Sequence, residues 1–177
     1  MDTIITKLPS ESQEAYRNIG EYAVSLGYKP VLKGAKQQYV IFNKSFPNKT
    51  SRTILKIVAE VEKTPVYYAM EVRFFANTPP YPPKFQQAID SYDKTGWMVE
   101  CNNCDHCKQS QVYYVQSNDG YRKSAGCISL IHMSSLSAED VPDIKEALKK
   151  VDSFYSEFLA DPVLKNNDYY AGLNQNV

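Results

Sequence analysis

The residues in this chain whose type and spacing could do chemistry are its cysteines. Cys101, Cys104 and Cys107 stand at i, i+3 and i+6 in the run Glu-Cys-Asn-Asn-Cys-Asp-His-Cys-Lys, and Cys127 is the fourth and last. Zinc takes thiolate sulfurs at about 2.3 Å, and a C-x2-C turn aims two of them at one point. Two such turns share Cys104 here, and Cys127 must return from a distance. The direct reading is one zinc held by Cys101, Cys104, Cys107 and Cys127. Each thiol must lose its proton to bind, so occupancy depends on pH and the metal stabilises the fold.

Other readings stay open beside it. Structural zinc sites more often use two separated C-x2-C pairs, so a set with His106 or His132 in place of one cysteine is possible. His106 lies between two ligands, and His132 follows Cys127 by five residues. An iron–sulfur cluster also takes three closely spaced cysteines and a distant fourth. Against it, no proline follows Cys127, and Asn102, Asn103, Asp105 and His106 are polar. The Cys101-Asn102-Asn103-Cys104 step has dithiol-redox spacing, but a lowered thiol pKa there would need a helix start. Neither C-x2-C is followed by histidine, so covalent haem attachment has no support.

No reaction follows from the cysteines alone. Glu100 abuts Cys101 and reads as a solvated strand end rather than an acid or base. His132 sits in an apolar run and reads as a half-buried core residue. There is no H-E-x-x-H helix, no G-x-S-x-G elbow and no glycine-rich phosphate loop. The function expected is a small metal-binding protein with structural zinc that acts by binding a small molecule or a protein. The alternatives are a zinc-dependent or thiol-redox enzyme, and an iron–sulfur protein.

Composition bounds the setting. The chain has 177 residues, 43% of them hydrophobic, with 14 tyrosines and 7 phenylalanines, enough for a core. Lys plus Arg and Asp plus Glu balance at 20 each. That balance disfavours nucleic-acid binding, which needs a basic footprint; Lys108, Arg122 and Lys123 are its only local support. The first residues carry no basic and apolar leader pattern, and no apolar run nears the roughly 18 residues of a membrane helix. A soluble, cytoplasmic protein is expected, and a reducing cytosol favours metal over disulfide use of the thiols.

The elements that must position the cysteines follow from periodicity. Tyr16, Ile19, Ala23 and Leu26 share a helical face, opened by a Ser10–Gln13 capping box and closed at Gly27. Residues 28–33 and 37–43 form a hairpin across Gly34-Ala35-Lys36. Residues 53–62 and 66–75 alternate as strands, the first with Leu55, Ile57, Ala59 and Val61 inward and the second with Tyr68, Met70, Val72 and Phe74 inward. Consecutive strands with short turns give an antiparallel meander with one buried face. The proline run at 79–83 breaks the chain and opens a short helix carrying Phe85, Ile89 and Tyr92. Residues 97–100 lead as a strand into the cysteines. Residues 112–116 and 121–124 form a hairpin through Ser117-Asn118-Asp119-Gly120. A last helix, about 143–159, carries Ile144, Leu148, Val151, Tyr155 and Phe158, with Asp140 as its cap.

The crowd of tyrosines from Tyr67 to Tyr121 reads mainly as sheet and core usage, with an aromatic pocket as the functional alternative. Glu71 and Arg73 could orient a ligand there, or pair with Lys56 and Glu60 across the sheet. The fold class expected is α+β: a β-meander covered by helices, a metal-stapled hairpin region and a C-terminal helix. Residues 1–95 hold the first helix and sheet. Residues 96–161 hold the cysteine-rich hairpin region and the C-terminal helix packing on the same domain, and 162–177 form a tail.

Overall fold

A computed structural model describes residues 1–34, 38–60, 67–73, 81–83, 85–86, 112–117, 120–125, 130–133 and 136–160. Its described elements are helices α1 (Asp2–Ile5), α2 (Ser10–Ser25) and α3 (Val141–Phe158), and strands β1 (Lys29–Lys33), β2 (Tyr39–Ser45), β3 (Ser51–Glu60), β4 (Tyr67–Arg73), β5 (Val112–Ser117), β6 (Gly120–Ala125) and β7 (Leu130–Met133). Helices beside antiparallel strands make the class α+β, as the patterning implied. Among the described residues no helix is long and apolar enough to cross a membrane.

Helix α2 buries the expected face: Tyr16, Ile19 and Ala23 are closed to solvent and Leu26 is half-buried. Its start differs from expectation. Pro9 is the N-cap and takes the chain straight into the helix, so Ser10 is the first helical residue. From there its hydroxyl cannot cap. Ser10 Oγ donates to Glu11 Oε2 at 3.2 Å, and Gln13 Nε2 donates to the Leu8 carbonyl at 2.9 Å. The capping box is therefore not formed. The end is as expected. Gly27 has φ +90°, its amide donates to the Val24 carbonyl, and the Tyr28 amide donates to the Ala23 carbonyl. This paired closure satisfies helix carbonyls that would otherwise be orphaned. Gly20 has a different role: a Cβ there would lie 2.7 Å from Met1 Sδ and 3.1 Å from Phe42 Cζ, so any larger residue must displace these side chains where α2 approaches β2.

Among the described residues five strands form the main sheet in the order β1-β2-β3-β4-β7, every pair antiparallel. Leu32, Val40, Ile57, Met70 and Met133 stand in one row across all five. Val40, Ile57, Met70 and Met133 are fully buried there. Between Phe42–Leu55 and Asn43–Thr53 the register slips, which leaves Ile54 as the extra residue of a bulge. Ile54 and Leu55 are consecutive and both fully buried. The expectation of one buried face holds only in part. Val58 is 1% exposed between the buried Ile57 and Ala59, so the alternation of a strand puts burial on both faces of β3 at this point.

Strand β7 was not foreseen; it turns the expected four-stranded sheet into five. Helix α3 packs on α2 and the sheet, burying Val141, Ile144, Leu148, Val151 and Tyr155. A 3-10 turn, Ala138–Asp140, leads into it. Here Ser137 and Asp140 do form a capping box: the Ser137 amide and hydroxyl donate to Asp140 Oδ2 at 2.7 and 2.9 Å. Asp140 is also the N-cap of α3, as expected, and Pro142 falls in the first turn. Phe85 and Tyr81 join the same core, and the Gln86 amide donates to the Pro82 carbonyl in a helical turn. Ile89, Tyr92, the 97–100 strand and the 162–177 tail lie outside the described residues.

Candidate metal site

Cys101, Cys104, Cys107 and Cys127 all lie outside the described residues, as does His106. What the structure describes is the frame on either side of them. Arg73, the last residue of β4, is the register partner of Leu130, the first residue of β7. Residues 74–129 form the excursion between these two rung partners, and every cysteine falls within it in sequence. Cys127 precedes that rung by three residues.

Inside the excursion, β5 and β6 form a separate two-stranded sheet. Ser117 pairs with Gly120 at the closed end of the ladder, and Gly120 has φ +126°, a backbone conformation that favours glycine. At the open end Val112 pairs with Ala125. Cys107 is five residues before Val112, and Cys127 two after Ala125. An extended chain covers at most about 3.6 Å per residue, and rung partners lie about 5 Å apart. The hairpin thus reduces the largest Cys107–Cys127 separation from about 70 Å to about 30 Å.

His132, the alternative ligand, is a ladder residue. It pairs with Glu71, which pairs with Lys56. Met133, the next residue, is fully buried. Lys56 and Glu71 are register partners on neighbouring strands. Lys56 Nζ also lies 4.8 Å from the Tyr39 ring centroid. Among the described residues no three His, Cys, Asp or Glu side chains are grouped to hold a metal ion. No family model, curated protein or solved structure matches this chain.

A second polar constellation was not legible beforehand. Lys44 on β2 donates to Asp152 Oδ1 on α3 at 2.8 Å and to the Leu26 carbonyl, at the end of α2, at 2.9 Å. Its ammonium stands 5.2 Å from the Tyr28 ring centroid and 5.3 Å from that of Phe46. The cation thus answers the negative end of α2, the carboxylate of α3 and two aromatic faces together. Burial first, and then the charge of Asp152, pushes the Tyr28 phenol far above its ordinary range. Among the described residues its buried hydroxyl has no hydrogen-bond partner of good geometry. Lys44 and Asp152 lie 108 positions apart, so no local pattern announces them. The cluster ties α2, β2 and α3 together, and its chemistry is that of an electrostatic clamp.

Proposed function

We propose that this chain is a metal-stapled α+β binding module. One zinc is held by the thiolates of Cys101, Cys104, Cys107 and Cys127, and its role is structural. The observation that supports this reading is the β5–β6 register, whose Val112–Ala125 rung pairs a residue five after Cys107 with one two before Cys127. A two-stranded hairpin is marginal by itself in water, so a clamp at its open end has a physical reason to exist. Four thiolates fill a tetrahedral zinc and leave no position for substrate or water. The module accordingly acts by contact with a small-molecule or protein partner, in the reducing cytosol that keeps its thiols available for metal.

Replacing one ligand tests this. Cys127→Ser should release most of the zinc and lower the melting temperature. A Cys127→Ser protein that keeps one zinc per chain and melts like the parent would remove Cys127 from the site. Zinc retained together with a water-derived ligand, seen by X-ray absorption as three sulfurs and one oxygen, would favour a catalytic centre instead.

A further inference from the structure

We propose that the free edge of β1 is a docking site for an acidic, extended peptide segment of another protein, which joins the main sheet as a further strand. This deepens the binding-module reading above by naming the kind of partner, and it does not depend on the metal.

Among the described strands β1 has one neighbour, β2. Its exposure agrees with an open edge: Lys29, Pro30, Val31 and Lys33 are exposed, and Leu32 is half-buried. Pro30 decides how the backbone is offered. It has no N–H, so its rung with Phe42 is one whose main-chain polar groups point away from β2. Leu32, two residues on, has the same orientation. The edge thus presents the Leu32 N–H and C=O as a complete pair, with the Pro30 carbonyl as a further acceptor. Main-chain bonding of that kind is how an added strand gains affinity.

The side chains select the visitor. Leu32 packs on the core, so alternation puts Lys29, Val31 and Lys33 together on the other face. Val31 is 38% exposed, an open apolar contact between two cations. Neither ammonium has an ion-pair or hydrogen-bond partner among the described residues. Strands β1 to β3 carry five basic side chains and one acidic, in a chain whose charges balance at 20 each, so the excess is local to this end of the sheet. Lysines on an edge discourage a like strand. In a second copy aligned antiparallel on Val31, Lys29 would stand opposite Lys33, and like charges directly opposite are destabilising. A strand with two carboxylates four residues apart and a β-branched residue between them meets the same row with complementary charge.

Titrating the full-length protein with a short peptide built around Glu-Thr-Val-Thr-Glu, followed by NMR, tests this. A Lys-Thr-Val-Thr-Lys counterpart and a single-stranded oligonucleotide are run beside it. The expected result is saturable binding of the acidic peptide, with exchange of the Leu32 amide slowed at least about tenfold in the complex. The basic peptide, and the acidic peptide on a Lys29→Glu, Lys33→Glu double variant, should each bind at least about tenfold more weakly. The Leu32 measurement is made on the parent protein, so it stands even where the variant folds poorly. Binding without protection of Leu32 would be charge attraction with no added strand, which overturns the proposal. An oligonucleotide that binds more tightly than the peptide, and loses as much in the variant, overturns it in favour of a nucleic-acid surface. No saturable binding up to about 1 mM overturns it as well. Zinc content, measured on the same sample, judges the metal reading separately.

Discussion

Lys44 of β2 and Asp152 of α3 form an ion pair of 2.8 Å, with side chains only 24% and 15% exposed. The pair is neither a surface bridge nor a fully buried one, and the ammonium also answers the Leu26 carbonyl. Surface pairs contribute about 0–1 kcal/mol, whereas removing one partner of a buried pair costs about 3–5 kcal/mol.

Lys44→Met and Asp152→Asn should each cost about 1–3 kcal/mol by urea denaturation, and the double variant less than their sum. Additive losses, within about 0.5 kcal/mol, would mean that the two side chains do not act on each other.

Tyr28 predicts an alkaline limit. Burial and Asp152 keep its phenol neutral in the folded chain, whereas an unfolded tyrosine ionises near pH 10, about. Above that pH the unfolded chain sheds a proton that the folded chain keeps. Stability that is full below about pH 10 is thus lost as pH rises, by up to about 1.4 kcal/mol per unit for this one group. Tyr28→Phe should be close to neutral at pH 7, since the hydroxyl there lacks a good partner, and should lose less stability than the parent between pH 10 and 11. Parallel losses in the two proteins would assign the alkaline limit elsewhere.

Met133 anchors β7 under the core. Met133→Ala should cost about 2–5 kcal/mol, as large-to-small changes in a closed core do. Zinc stoichiometry should be unchanged, because the anchor lies beyond the rung where the excursion ends. Loss of zinc in step with stability would show that β7 and the metal form one unit.

The local parts of the fold were legible in the sequence. Tyr16, Ile19 and Ala23 marked the buried face of α2, Gly27 its end, and Val151 and Tyr155 the face of α3, because helical periodicity is written in neighbours three and four apart. The Ser10–Gln13 box misled because Pro9 occupies the cap and shifts both residues into the helix. Strand β7 was invisible for another reason. Leu130, Ile131, His132 and Met133 do not alternate, and a four-residue apolar run fits a strand or a buried helix turn equally. Its partner, β4, lies far back in the chain. The bulge at Ile54 and the burial of Val58 depend on cross-strand register, which periodicity along one strand does not encode. The cysteine spacing suggests a ligand set, and all four cysteines lie outside the described residues. What the structure adds is the frame: Arg73 against Leu130 and Val112 against Ala125.

Metal content and the visible spectrum of freshly purified protein, with no metal added, test the central claim most directly. The account predicts one zinc per chain, no visible absorption, and four thiols that react only after the metal is displaced. A brown sample containing iron and sulfide would contradict it, as would a metal-free chain with four freely reactive thiols.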